Sequence, residues 1–424
     1  HGARKYNEEH SGNEVLSSYP SQSNKFSEQS IPDKFVDNFP PDSLLVSSEK
    51  KYSDIPLLSF LIAHMVPFFD GNYYLTGTLL IPVLASLFML PLGVYFFQLG
   101  VPVSGLLGGL IGTFASGYYM RSSIGRIDTD MLNLFFPLLS GLIILLASRS
   151  KTDRSILGYA ILAGLSLYLF QWWYLKPGFT LAFFIVLILS LFIQKIHFKI
   201  ILFSAFLFVL FAQPATFMNG TNTIQSFLNS YFTIEEVRVV EIDNGTTPAS
   251  FPNTLTTISE ANHVPLDEVL RRVLSNTILD WIGLVGLIGM AVIKWRLLIP
   301  LLPILALGLL SFQSSNRFIM YLAPFIGIGL GWLWNIGIDV LFQCLPVKNE
   351  EKTDKNNSDK VIKIVNNTWW DWTKQGVLYS GMALFFLGIS SQTAISYVPR
   401  PSIHAGLYAT ILEVKRYIPK NSAL

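Results

Sequence analysis

An all-α, polytopic membrane fold is predicted for this chain by three observations. Apolar runs of about 18–20 residues recur along it, each long enough to cross ~30 Å of hydrocarbon as a helix. Only 14% of its 424 residues are charged while 51% are hydrophobic, where a soluble domain carries about a quarter charged. The charges fall between the runs, and basic residues crowd into alternate gaps.

The elements follow in order. Residues 1–54 are polar, rich in Ser, Asn, Glu and Lys, and read as a long loop. Residues 55–69 (IPLLSFLIAHMVPFF) are short for a span and fit an interfacial helix. About ten spans are expected, near 73–98, 101–120, 131–148, 156–172, 178–194, 198–213, 278–293, 297–312, 318–343 and 376–397. The short gaps 148–155, 195–199 and 294–296 hold Arg149, Lys151, Arg154, Lys195, Lys199, Lys294 and Arg296, and the tract 344–375 on the same side adds six lysines. By the positive-inside rule these gaps are cytoplasmic.

That choice divides the rest. A first outer loop with its interfacial helix occupies 1–72. A transmembrane bundle with an acidic loop occupies 73–213, and a long outer loop 214–277. A second bundle, 278–397, carries the cytoplasmic loop 344–375, and 398–424 begins an outer C-terminal segment. The chain opens at His1 with no methionine and no signal-like segment, and reads as a piece of a longer protein.

Several function classes drop out. A net charge of +2 from scattered basic residues gives no nucleic-acid patch. The single cysteine, Cys344, forms no intrachain disulfide and no zinc spacing.

The outer face gathers the residues that could carry chemistry. Asp128-Thr129-Asp130 sits between two apolar runs, and two carboxylates that close to hydrocarbon need compensation from a divalent cation or a charged substrate group. A helix N-cap role for Asp128, ahead of Met131, is the plainer alternative. The long outer loop supplies Thr257-Ile258-Ser259-Glu260. Carboxylates from separate loops are what an Mg²⁺ or Mn²⁺ site requires, although a lone loop glutamate is ordinarily just solvated. Gln171-Trp172-Trp173-Tyr174 closes a span on that face, where an aromatic belt would also put it. Arg317 opens another span, placed either to snorkel to headgroups or to grip a diphosphate. Trp369-Trp370-Asp371-Trp372 precedes the last span on the cytoplasmic side and reads as an interface anchor.

Together these segments resemble the catalytic subunit of oligosaccharyltransferase, particularly the single-subunit bacterial and archaeal enzymes. Gly125-Arg126-Ile127-Asp128-Thr129-Asp130-Met131-Leu132 resembles the family's second acidic motif, and Trp172-Trp173-Tyr174 its aromatic outer-loop motif. Thr257-Ile258-Ser259-Glu260 is similar to its TIxE motif, and Arg317-Phe318 with Tyr321 and Pro324 to its arginine-bearing span.

The resemblance implies a GT-C architecture and a metal-dependent membrane glycosyltransferase in a prokaryotic plasma membrane, working on the outer, periplasmic face. Its substrates would be an oligosaccharide on a polyprenyl or dolichyl diphosphate and Asn in Asn-X-Ser/Thr of a polypeptide. It implies Mn²⁺ or Mg²⁺ held by Asp128 and Glu260 with Asp130 in or beside its shell, Glu260 also touching the acceptor amide. Arg317, Tyr174 and Trp173 would face the donor. Arg272, twelve residues past Glu260, would face an acidic residue two before the acceptor Asn, or snorkel with Arg271.

The resemblance further implies an aspartate shortly before His1-Gly2-Ala3-Arg4 and a WWD motif after Leu424, so the 424-residue chain alone is expected to be inactive. Two spans found in many relatives are missing near 195–213. The competing readings are another lipid-linked transferase that adds single sugars, and a transporter. A transporter prefers ionisable residues at the bilayer midplane, whereas the acidic residues here sit at span ends.

Overall fold

The computed structural model describes residues 56–124, 126, 129–214, 265–312, 316–344 and 359–396, with short stretches at 220–222, 224–225, 238–240, 249–251, 406 and 409–410. The chain divides into two compact units, residues 74–395 and residues 1–73 with 396–424. In the second of these, helix α1 (Leu57–Met65) passes into a 3₁₀ turn, Val66–Phe69, that ends at Asp70 in the left-handed region. Phe68 on that turn is exposed, as an interfacial segment would leave it.

The larger unit is a helical bundle. Its helices are α2 (Tyr73–Ser86), α3 (Met89–Gln98), α4 (Pro102–Phe114), the short α5 (Ser116–Ser122), α6 (Phe135–Arg149), α7 (Asp153–Trp173), α8 (Pro177–Ile193) and α9 (Phe198–Phe211). After the long loop come α10 (Leu266–Leu274), α11 (Thr277–Leu298), α12 (Leu302–Leu310), α13 (Ile319–Cys344) and α14 (Asp359–Phe385). A π-helical turn, Phe386–Ser390, follows α14 and leads into α15 (Gln392–Ser396).

Local chemistry sets many of the boundaries. Pro102 and Pro177 start α4 and α8, where a missing N–H costs nothing. Thr152 caps α7 by accepting from the Ser155 amide, and Asn276 caps α11 by accepting from Leu279. A two-strand ladder, Arg238–Val240 against Ala249–Phe251 with Arg238 opposite Phe251, is the exception to an all-α chain. It lies in the loop expected at 214–277.

Helix α13 is the axis of the bundle, and α4 and α11 pack on it through glycine. Gly283, Gly286 and Gly289 of α11 meet Ile326, Gly329 and Trp332, a constant offset that makes α11 and α13 parallel. Ser104 and Gly108 of α4 meet Gly331 and Gly327 in the opposite sense, so α4 is antiparallel. A Cβ at Gly327 would stand 2.7 Å from the Gly108 Cα, and one at Gly329 would overlap the Gly283 carbonyl. Without a hydrophobic driving force between helices in lipid, such close backbone approach is how helices gain contact.

The parallel course of α11 and α13 requires the chain between them to turn back. The apolar stretch Thr277–Leu310 runs 34 residues, far more than one crossing needs. It breaks at Lys294, whose backbone is non-helical (φ −121, ψ 30), and again in the 3₁₀ turn Ile299–Leu301. Gly308 then packs on Leu322, level with the start of α11. The break falls at the basic gap 294–296, where the sequence puts it.

By length and apolar character, six helical stretches among the described residues can cross a membrane: Tyr73–Gln98, Thr129–Arg149, Asp153–Trp173, Thr277–Leu310, Ile319–Cys344 and Asp371–Ile395. Four more apolar helices, Leu57–Phe69, Pro102–Phe114, Gly178–Ile193 and Phe198–Phe211, are 10–17 residues long. At 1.5 Å per residue these last reach only about 15–26 Å, so the ten expected spans are not all matched at spanning length. The protein is a multi-pass helical membrane protein. Helix α14 begins well before residue 376, so Trp372 lies within the helix rather than ahead of it, and its ring is exposed.

Candidate active site

The 3₁₀ turn Thr129–Leu132 lies between α5 and α6, and Asp130 on it is fully buried. Its Oδ2 accepts from Arg121 Nη1 at 2.7 Å. Its Oδ1 accepts from Asn133 Nδ2 at 3.0 Å and from Arg317 Nη2 at 3.2 Å. Arg121 sits in the last turn of α5 and is itself buried, whereas the Arg317 side chain, just ahead of α13, is 37% exposed. Tyr321, one turn into α13, is buried within charge-interaction range of Asp130, Arg121, Arg317 and Tyr174.

A carboxylate cannot stay ionised in a dry interior without partners. The compensation expected from a cation or a substrate group is supplied for Asp130 by the protein. Arg121 and Arg317 thus reach one carboxylate from two different elements, Arg317 from the more exposed side.

Two further bonds hold the turn by its backbone. The Trp173 indole Nε1 donates to the Thr129 carbonyl at 2.7 Å. The Tyr118 hydroxyl lies 2.8 Å from the Met131 carbonyl and 2.9 Å from the Ala85 carbonyl. Tyr118 sits on α5 and Trp173 ends α7, so two separate elements converge on the acidic motif. Helix α7 stops there because Tyr174 turns extended (φ −150, ψ 105) and Pro177 starts the next helix.

The expected site residues fare unequally. Asp130, Arg317, Trp173 and Tyr174 come together as one cluster. Trp173, expected to face the donor, is only 3% exposed and its indole N–H is occupied by Thr129. Tyr174 lies beneath Lys176, whose Nζ is 4.9 Å from the ring centroid. Arg317 is engaged by Asp130.

Arg272 lies on α10, whose Val269, Leu270, Val273 and Leu274 are buried while Glu268 and Arg271 face outward. Its Nε meets Glu268 at 3.0 Å, and Arg271 meets the same carboxylate at 2.5 Å. The Arg272 hydrogen bond, backed by the charge of Arg271, holds the Glu268 carboxyl below the usual glutamate range. The Arg272 carbonyl accepts from Ser116 Oγ at 2.8 Å, which ties α10 to the helix that carries Arg121.

Asp128 and Glu260, the other expected metal ligands, lie outside the described residues, as does most of the loop around Glu260. Among the described residues no group of three or more His, Cys, Asp or Glu could hold a metal. Both oxygens of Asp130 accept hydrogen bonds, and two arginines flank its carboxylate.

Sequence reasoning missed Arg121, Asn133 and Tyr118. The available signal for Arg121 was a basic residue on the same loop as Asp130. For Asn133 it was a polar side chain three residues on, one turn away.

Residues 52–344 match the family described as oligosaccharyl transferase STT3, N-terminal. Two similar proteins, both undecaprenyl-diphosphooligosaccharide–protein glycotransferases, come from Campylobacter jejuni subsp. jejuni serotype O:2 (strain ATCC 700819 / NCTC 11168) and from Campylobacter jejuni strain RM1221. Each is 25% identical over 326 residues, covering 66% of this chain and 43% of the relative. The chain thus spans less than half the length of the relatives it matches.

Proposed function

The chain belongs to the oligosaccharyl transferase STT3 family, and from that premise we propose that it forms the catalytic membrane part of a bacterial-type oligosaccharyltransferase. The reaction moves an oligosaccharide en bloc from a polyprenyl diphosphate to the amide nitrogen of Asn in Asn-X-Ser/Thr. The site would open on the periplasmic face of an inner membrane, and the shorter helices α4, α8 and α9 would join the six long stretches in crossing it. The observation that carries the reading is the contact of Arg317 with Asp130, which joins the two segments that resemble the family's arginine and acidic motifs, with Arg121 as a second partner of the carboxylate.

The chemistry asks for two things. The leaving group is a diphosphate, which needs fixed positive charge as negative charge develops on it. Arg317 supplies that charge from a partly exposed position, and Asp130 fixes its direction while Arg121 balances the buried carboxylate. The nucleophile is an amide nitrogen with a delocalised lone pair. Carboxylates that accept its N–H bonds would localise that pair, and Glu260 is the residue proposed for it.

Asp128 and Glu260 are the proposed ligands of Mn²⁺ or Mg²⁺, with Asp130 behind them rather than on the ion. Such an ion, when bound, supplies Lewis-acid stabilisation of the diphosphate. Arg272 is proposed to face the acceptor peptide, where an acidic side chain would compete with Glu268 for its guanidinium.

The test uses the protein expressed from its complete gene, with a lipid-linked oligosaccharide and a fluorescent Asn-X-Thr peptide. Transfer is expected, lost with EDTA and restored by Mn²⁺. Arg317→Ala should impair donor use more than peptide binding. Transfer unchanged by EDTA rejects the cation, and an unchanged donor KM and kcat in Arg317→Ala rejects the diphosphate role.

A further inference from the structure

We propose that Trp173 and Tyr118 are positioning residues that clamp the acidic turn by its backbone, from opposite flanks of Asp130. The catalytic consequence rests on the function proposed above, but the clamp itself does not. Thr129 and Met131 are the immediate neighbours of Asp130, and each carbonyl is met by a side chain from another element: the Trp173 indole at 2.7 Å and the Tyr118 hydroxyl at 2.8 Å, whose one proton is shared with the Ala85 carbonyl at 2.9 Å. Both rings are buried, Trp173 at 3% and Tyr118 at 0% exposed, so neither is available to stack on a ligand.

A 3₁₀ turn needs such help. Its own hydrogen bonds are poorer than those of an α-helix, and a four-residue run is near the limit of what holds unaided. The turn carries a carboxylate that must meet Arg121 and Arg317 at once. Neither arginine can follow it far, because Arg121 is packed in α5 and Arg317 starts α13. Fixing the carbonyls on both flanks of Asp130 fixes where its side chain leaves the backbone.

The clamp explains an arrangement that a donor-facing aromatic motif leaves unexplained. Trp173 ends its helix with the indole turned inward against the loop, while Tyr174, next in sequence, turns extended. The aromatic motif therefore splits into one ring that supports the acidic loop and one that stands beneath Lys176.

The test compares Trp173→Phe and Tyr118→Phe with Trp334→Phe, all in the protein expressed from its complete gene. Trp334 donates its indole to the Leu378 carbonyl at 3.1 Å, the same bond type well away from the turn. The first readout is hydrogen exchange over residues 129–134. Both clamp variants should exchange faster there, and Trp334→Phe should match the wild type. The second readout is kinetic: kcat per folded molecule should fall about tenfold or more in the clamp variants with KM for both substrates little changed, since small misplacements of catalytic groups are costly.

Unchanged exchange over 129–134 in both clamp variants overturns the proposal whatever the enzyme does. A fall in kcat of equal size in Trp334→Phe overturns it too, because generic destabilisation would then account for the loss. If Trp173→Phe does not accumulate, Tyr118→Phe, which removes a single oxygen, decides. A wild type that transfers no glycan but shows the exchange difference would reject the proposed function and leave the clamp standing.

Discussion

Helix α13 is held in two different ways along its length. Through its middle, Gly327, Gly329 and Gly331 let α4 and α11 approach to backbone contact, and shape alone fixes the packing. At its start, Arg317 reaches a buried carboxylate from another loop, and charge fixes the packing. The glycine seam tolerates no added volume but asks nothing of pH or ions. The arginine end has room, since Arg317 is 37% exposed, but its energy depends on every partner staying in place. A rigid middle with a charge-adjusted end suits the role proposed for Arg317.

The seam should break hardest. Gly329→Leu puts a side chain where even a Cβ overlaps the Gly283 carbonyl, and backbone has no rotamer to give way. Overpacking costs about 1–3 kcal/mol where side chains can adjust, and more where they cannot. No folded monodisperse protein is expected in detergent by size-exclusion chromatography. A wild-type elution profile and thermal midpoint would show that α11 and α13 are not packed this closely.

Asp130→Ala comes next. It takes from the buried Arg121 the carboxylate 2.7 Å away, and breaking a buried ion pair from one side typically costs about 3–5 kcal/mol. The double variant Asp130→Ala with Arg121→Leu should recover part of that loss. If the double variant is no more stable than the single one in thermal melts, the buried pair is not what the single substitution disrupts. Activity should not return with stability, because Arg317 has also lost its contact with Asp130.

How far the two regions could be read from sequence differs for a physical reason. Charges are scarce in a membrane chain, so Asp130 and Arg317 stand out, and the count of basic residues in the gaps is enough to place them on one side. The break at Lys294 was legible for the same reason. The third partner was not: Arg121 lies among polar loop residues, and nothing in its spacing says that it turns inward. The contact of Trp173 with the Thr129 carbonyl was not legible, because an aromatic at a span end has many uses and nothing in the spacing selects one. The glycine seam was invisible because glycines occur throughout the apolar runs, and only the parallel course of α11 shows which of them meet. Six of the apolar stretches among the described residues reach spanning length, because an apolar run tells where a helix is, not how much of it is regular.

The smallest expected effect lies on α10, where charge sits at the surface instead of in the core. Glu268 is held below the usual carboxylate range chiefly by its hydrogen bond to Arg272. A group whose folded pKa is depressed contributes stability above its unfolded value, about 4.3 for Glu, and loses it as pH falls through the folded value. The thermal midpoints of wild type and Glu268→Gln should therefore differ slightly at neutral pH and converge as pH falls through the depressed folded value. Added salt should shrink the neutral-pH difference as well, since an exposed pair is screened. The comparison cancels every other acid-titrating group, because those are shared by both proteins. A difference that stays constant from neutral pH down to about pH 3 would mean that Glu268 acts through packing and not through the two arginines. In that case Arg272 would be less firmly engaged than its 3.0 Å contact implies, and an acidic acceptor peptide would meet no internal competitor.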